Sequence, residues 1–447
     1  MLRSKISLLL TTAAIALCAG ASIGVLAETG TPLSAADSDP KVMGWMEGFP
    51  PPPDKLITQP DSNYFSFPKL RWTVCHLREF LPTEQISRGL DAPVPLEYLP
   101  PAEFADERQA IDALTFTPMN SDEQMTWAES LDANYTDGML IIHAGRVVYE
   151  RYFGCLEEDG KHAAMSMTKS VTGLLAAIMV AEGALDDTAL VRDIIPEIGT
   201  SAFATATVRQ VMDMTTGVKY SEDYSDRNAD IWLYSAAASP LPKPEGYTGP
   251  DGYWEYLQQV KPEGKHGDRF HYKTINSDML GWIISRVSGK SVTELASERL
   301  WRRMGAEQDA YQTVDGKGVP FAGGGLSAGM RDLGRLGLLM LNHGVINGER
   351  LFPAEVVQRI RAGGDPSKFD GFPTIVNGSY TSQWWVFHNK HGAFAARGVH
   401  GQTIYVDPTA EMVLVRFASF PRAQNGFIDP TSLPAYQAVA EYLMSER

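Results

Sequence analysis

Ser and Lys three residues apart on a helix can act on one another, and the 447-residue chain carries Ser-x-x-Lys at least three times. Ser38-Asp39-Pro40-Lys41 and Ser66-Phe67-Pro68-Lys69 have proline at the third position, which disfavours one continuous helical turn. Ser166-Met167-Thr168-Lys169 does not. It opens the run Val171 to Ala181, apolar on every side, as a buried helix is. The spacing puts Ser166 and Lys169 on one face. A Ser at such a start sits near unpaired backbone N–H groups and the positive end of the helix dipole. A lysine desolvated there has its pKa lowered from about 10.4, so a neutral amine becomes accessible as a base for the hydroxyl. The other reading makes Ser166 a plain N-cap and leads Lys169 outward to water. Helix physics alone leaves both open.

A second candidate lies in "FHYKT", Phe270 to Thr274, where Tyr272 precedes another apolar helix that ends at Gly289. A lone Tyr is most often a core residue with a satisfied hydroxyl. Beside Ser166 and Lys169 it supplies the third polar group that a Ser/Lys nucleophile needs to shuttle protons. A rival nucleophile is Ser327 in Gly325-Leu326-Ser327-Ala328-Gly329, with His343, His388, His391 and His400 following it. That elbow requires a strand running into the turn, and the preceding "GKGVPFAGGG" is expected to be too glycine-rich for one. (A second match, Gly20 to Gly24, falls in the N-terminal apolar segment.) His388-x-x-His391 is a weak pair and is expected to be solvated. With no His-Glu-x-x-His and no phosphate-binding loop after a strand, no metal and no cofactor are expected.

The elements that must position these residues are legible in outline. "GMLIIHAGRVVYERYFG" (Gly138 to Gly154) predicts a hairpin around His143-Ala144-Gly145-Arg146. "TIYVDPTAEMVLVRFAS" (Thr403 to Ser419) predicts a second around Asp407 to Glu411, and Leu433 to Arg447 has helical periodicity. Between the hairpins the periodicity predicts helices over 168–182, 207–215, 276–288, 292–303 and 330–342. The expected fold class is therefore α/β: an antiparallel sheet flanked by helices, built from both ends of the chain, with a mainly helical lobe inserted between them. Residues 28–125, rich in proline and aromatics such as Trp45, Tyr64 and Trp72, are read as an extension packed on the domain 126–447.

Arg3 and Lys5 ahead of the apolar run Ile6 to Ala19, with small residues to Ala27, mark residues 1–27 as a secretory signal peptide. An uncleaved anchor is the alternative, although the run is short for a spanning helix. The mature chain is expected to be periplasmic or secreted, without stable membrane insertion. Cys75 and Cys155 would remain, either bridged or as two buried thiols. Apolar residues at 44% and charged residues at 21% exclude wholesale disorder. A net charge of −15, or −17 without Arg3 and Lys5, makes nucleic acid an unsuitable partner.

"SMTK", "FHYKT" before "LGWIISRVSGKS", "GGGLSAGMRDLGRLGLLML" and "GVHGQTIYVDP" together resemble the serine β-lactamase-related superfamily, which holds class C β-lactamases, D-amino-acid peptidases and esterases. Within it, "MTTGVKYSEDYSD" (Met214 to Asp226) and "GVHGQ" are most similar to the 6-aminohexanoate-dimer hydrolase branch. The resemblance runs from about residue 125 to the C-terminus, with a weaker echo in "FSFPKLRW". It implies a β-lactamase/transpeptidase-like fold, with Ser166 as nucleophile, Lys169 as its activating partner and Tyr272 as the Tyr of the Tyr-x-Asn motif. It also implies an oxyanion hole from the N–H groups of Ser166 and Val399, and Tyr224 at the substrate mouth. Two positions depart from the pattern: Thr274 stands where the Asn is expected, and Ala396-Arg397-Gly398 replaces Lys/His-x-Gly. Those changes weaken the case for β-lactam binding and leave the nucleophilic machinery intact. The implied activity is hydrolysis of a small amide or ester through an acyl-enzyme, of linear amino-acid oligomers or of small esters. A β-lactamase, a D-amino-acid peptidase and a slowly turning-over penicillin-binding sensor are the alternatives. The acidic stretch Glu222 to Asp226 would favour a substrate with a free amine, or is a solvated turn.

Overall fold

The computed structural model describes residues 31–58, 63–224, 226, 228–243 and 245–446, so the signal segment expected at 1–27 lies outside the described residues. The first hairpin pairs Thr136–His143 with Arg146–Tyr152 across Ala144 and Gly145, both at positive φ, the geometry that matches strand twist in a tight turn. The second pairs Gln402–Asp407 with Met412–Ala418, and the two hairpins join where Met412–Ala418 runs antiparallel to Thr136–His143. The sheet has eight strands. Beyond Gln402–Asp407 come Phe394–Gly398, Trp384–Val386 and Ser379–Thr381, and beyond Arg146–Tyr152 comes Glu97–Tyr98. That last pair is parallel, so the sheet is not wholly antiparallel as expected: the extension contributes the edge strand from the opposite direction.

Both sheet faces are covered, which is why the central strands read as continuous apolar runs instead of alternating. Leu140, Ile142, Val413 and Val415 face one core with Leu333, Leu336 and Leu339 of the helix Met330–Leu341. Met139, Ile141, Met412 and Leu414 face the other with Tyr436, Val439 and Leu443 of the helix Asp429–Ser445. The first helix lies so close that a Cβ on Gly337 would fall 2.3 Å from Val413. Other expected helices form at Met167–Ala181 and Ile275–Ser288. The 207–215 stretch is shorter, Val208–Met212, and 292–303 divides into Val292–Ala296 and a wider-wound turn Ser297–Trp301. Among the described residues no helix is long and apolar enough to cross a membrane.

A four-stranded sheet runs Thr83–Ile86, Ala310–Thr313, Leu326–Ala328, His162–Ala163. It ties the extension to the residues just before Ser166. Trp45, Tyr64, Phe65, Trp72 and Val74 form an apolar cluster with Ala163 and Met165, against which Val399 also packs. The Val74 carbonyl accepts from the Ala163 N–H at 2.8 Å. Buried Arg71 donates to Asp137 at 3.3 Å, and Asp137 also meets His162 at 3.2 Å. Cys75 and Cys155 are joined in a disulfide, with Cα atoms 6.1 Å apart and a sequence separation of 80. Of the two readings the cysteines left open, the bridge is the one realised.

Closing so long a loop restricts the unfolded chain. Replacing both cysteines by Ser is expected to lower the unfolding free energy by about 2–4 kcal/mol in a denaturant titration. An unchanged midpoint would show that apolar contacts alone secure the extension.

Candidate active site

Ser166 immediately precedes the helix Met167–Ala181, and its side chain makes no capping bond. Lys169 is 1% exposed, so the snorkelling reading fails: its Nζ points inward and donates to Ser166 Oγ at 3.0 Å and to the Gly323 carbonyl. The helix is seated by close backbone contact. A Cβ on Gly173 would fall 2.0 Å from the Ser382 carbonyl, Ser170 Oγ donates to the Gln383 carbonyl at 2.7 Å, and Trp384 Nε1 donates to the Ser170 carbonyl at 3.0 Å. Burial lowers the Lys169 pKa to about 8, while the nearby Glu222 and Asp278 carboxylates oppose the shift.

Tyr272, half-buried, stands beside Ser166, and its ring lies 5.2 Å from Lys169 Nζ. Stacking on Trp385 at 5.4 Å holds the ring. Burial, with Glu222 adding to it, pushes its hydroxyl well above the ordinary tyrosine range, so it stays a phenol at neutral pH. The strand Phe394–Gly398 delivers Val399 beside this group. A Cβ on Gly398 would sit 3.0 Å from the Ser166 nitrogen and 2.8 Å from the Ala164 carbonyl, so only glycine allows that approach. Val399 begins the single turn Val399–Gly401, whose leading N–H has no acceptor within the turn. Met165 and His400, the residues preceding Ser166 and following Val399, both hold left-handed backbone conformations. For non-glycine residues that costs about 1 kcal/mol or more each, and such strain collects at working sites.

Tyr224, Tyr272 and Val399 line one cavity of about 320 Å³ with Glu222, Trp385 and Arg397. The volume suits a small organic ligand. Glu222 organises one wall: it accepts from the Thr274 N–H at 2.7 Å, the Thr274 hydroxyl at 2.6 Å and the Tyr224 hydroxyl at 2.7 Å. Of the two readings of the acidic stretch, the carboxylate of Glu222 is therefore turned inward. Opposite it, buried Arg397 pairs with Asp429, which also accepts from Thr374 at 2.5 Å. Ala396, the residue at the motif's cation position, packs into the core instead. Glu222, Asp429 and Trp385 were not singled out individually from sequence, because each lies far along the chain from the residue it serves. Thr274 in place of Asn was the available clue to Glu222.

The other candidates do not converge on this site. Ser327 lies inside the buried strand Leu326–Ala328, paired with Ala163 and Tyr311. As expected, the glycine run 316–325 forms no strand leading into an elbow; the strand Leu326–Ala328 begins after it, and Ser327 is within that strand and not on an exposed turn. His388 contacts Ser379 at 2.7 Å, and half-buried His391 contacts Asp407 at 2.7 Å, so only the first is solvated. Among the described residues one group has metal-ligand proximity, Cys75, Cys155 and His162, and its two sulfurs form the disulfide.

The sequence matches the Beta-lactamase family over residues 132–432. It is 33% identical over 357 residues to the 6-aminohexanoate-dimer hydrolase of Paenarthrobacter ureafaciens, covering 79% of this chain and 86% of that protein. A Bacillus anthracis structure provisionally given the same name superposes with a TM-score of 0.77 at 30% identity, covering 87% of this chain and 99% of that one. EstCE1, a hydrolase with promiscuous acyltransferase activity, shares the fold at 15% identity and a TM-score of 0.56, over 76% and 99% of the two chains. With a β-lactamase/transpeptidase-like fold and relatives of this kind, the chain belongs to the Beta-lactamase family and is a serine hydrolase.

Proposed function

We propose that this hydrolase cleaves the amide of short linear ω-amino-acid oligomers through an acyl-enzyme on Ser166. The observation that carries the reading is the 3.0 Å contact of Ser166 Oγ with fully buried Lys169, beside Tyr272. Neutral Lys169 takes the Ser166 proton as Oγ attacks the carbonyl carbon. The oxyanion lies between the N–H groups of Ser166 and Val399, each such donor being worth about 3 kcal/mol. Tyr272 gives its proton to the leaving amine and is reprotonated from Lys169. Water then attacks the acyl carbon, passes a proton to the same pair, and Ser166 leaves with its own proton restored.

Glu222 supports an amine-bearing substrate, since its carboxylate faces the cavity beside Tyr224 and would attract an ammonium group. The same carboxylate opposes a β-lactam: it takes up the Thr274 hydroxyl and would repel an anionic drug. The amide of the Paenarthrobacter relative's named substrate, the 6-aminohexanoate dimer, has this chemistry. Export of the chain by residues 1–27 belongs to the proposal, and a disulfide suits an oxidising compartment. N-terminal sequencing of protein from the extracellular or periplasmic fraction should start after Ala27; an intact Met1 there would refute cleavage.

A panel of ω-amino-acid dimers, D-amino-acid peptides, cephalosporins and short esters should place the dimers highest among amides in kcat/KM, with Ser166→Ala inactive on all. Cephalosporins ranking first, or full activity in Ser166→Ala, would overturn the assignment. Because a base must be neutral, kcat/KM should rise with pH through about 8. A flat profile there would remove Lys169 from the base role. Gly398→Ala, with its methyl against the Ser166 nitrogen, should cost about a hundredfold in kcat, as loss of an oxyanion donor does.

A further inference from the structure

A buried carboxylate that the mechanism above leaves unused stands behind Lys169. Asp278, on the helix Ile275–Ser288, is 3% exposed and forms no ion pair among the described residues. Its Oδ1 accepts from the Gly323 N–H at 3.2 Å, and its Oδ2 accepts from the Tyr234 hydroxyl at 2.6 Å. The Gly323 carbonyl, from the same residue, is the second acceptor for Lys169 Nζ. One glycine thus stands between Asp278 and Lys169. That glycine is sterically required, because a Cβ on it would fall 2.6 Å from Thr274 Cγ2 and 3.1 Å from Asp278 Oδ2.

We infer that Asp278 is a positioning residue for the Ser166/Lys169 pair: it clamps Gly323 so that its carbonyl holds Lys169 Nζ on Ser166, and its charge sets how readily Lys169 gives up a proton. The inference rests on Ser166 and Lys169 acting as proposed above. Several groups face the pair. Glu222, from the loop before the helix Asp230–Ala238, and Tyr272 lie on the Lys169 side, with Arg397 beyond Tyr272. Tyr234 and Tyr220 lie on the Asp278 side. Burial raises the Asp278 carboxyl to about 7, with the Tyr234 hydroxyl and Lys169 opposing. Asp278 and Lys169 therefore titrate as a pair in the neutral to mildly alkaline range, and neither ionisation belongs to one residue alone.

Asp278 also lines a second cavity of about 440 Å³, bounded by Trp254, Trp282 and Pro320 and sharing no lining residue with the catalytic pocket.

Asp278→Asn is the direct test. The amide can keep both contacts, its oxygen accepting from Gly323 and its NH2 donating to the Tyr234 oxygen, while the charge is gone. Phosphonylation of Ser166 by a small fluorophosphonate, with fluoride leaving, is followed by intact-protein mass spectrometry as a function of pH. Loss of the negative charge favours the neutral amine, so the acid limb of the labelling rate should move down by about one pH unit. Tyr234→Phe keeps the carboxyl but removes a donor to its charged form, so its limb should move the same way by less. A role confined to packing would lower the rate equally at every pH. Limbs unmoved in both variants, with Ser166 still labelled, would overturn the role of Asp278 and leave the Ser166 reading standing. No labelling of Ser166 in the unaltered protein would overturn that reading and, with it, this one.

Discussion

An ammonium group enclosed by protein on all sides is the constraint from which the rest of the architecture follows. Taking Lys169 out of water costs several kcal/mol unless its protons find acceptors. The acceptors are Ser166 Oγ and the Gly323 carbonyl, with the Glu222 and Asp278 carboxylates near enough to favour the charge. Those groups come from segments up to 157 residues apart, Ser166 to Gly323 alone spanning most of the helical lobe. Only close packing can bring them together. Glycine therefore occurs where the approach is closest: Gly173 under the Ser382 backbone, Gly323 against the Thr274 and Asp278 side chains, and Gly398 on the Ser166 nitrogen. The outcome is a lysine whose pKa is lowered to about 8, so that its neutral form is far more accessible near neutral pH than that of a solvated lysine.

The extension, remote in sequence from the catalytic residues, takes part in the same balance. Its aromatic cluster packs on Met165 and Val399, beside the proposed oxyanion position, and Phe65 approaches His400 with ring centroids 6.3 Å apart. Met165 and His400 sit in left-handed conformations that an isolated peptide would avoid. Such residues persist when surrounding contacts over-determine them. Here the contacts are the apolar cluster, the Ala163 bond to Val74 and the disulfide from Cys75 to Cys155. The extension thus belongs to the catalytic scaffold.

In the proposed function, specificity comes from the groups that line the cavity. Thr274 replaces an amide with a hydroxyl, and the hydroxyl is spent on Glu222. Arg397 is neutralised by Asp429, so no free cation of this pair is left to hold an anionic substrate group. The inward carboxylate and the stacked Tyr272 and Trp385 are what the proposal of an extended substrate with a cationic end rests on.

Local pattern and chemistry, both written in the chain, were enough to find the two hairpins and the buried helix after Ser166, and to put Lys169 on the same face as that residue. Hydrophobic period and turn residues act within a few positions, and a Ser-x-x-Lys spacing is fixed by one helical turn. Tyr272 was legible from its place just before an apolar helix as the third polar group a Ser/Lys pair needs, and the order of motifs shared with a family added to that. What local pattern could not hold is anything that depends on two distant segments meeting. The strand at Ser327 exists because neighbouring strands pair with it. The edge strand Glu97–Tyr98 runs parallel because of how the extension wraps. The inward turn of Glu222, the bond between Cys75 and Cys155, and the Asp278–Gly323–Lys169 line are likewise decided by tertiary packing. Sequence determined which groups could react; the fold decided which carboxylates surround them, because electrostatics acts through space and not along the chain.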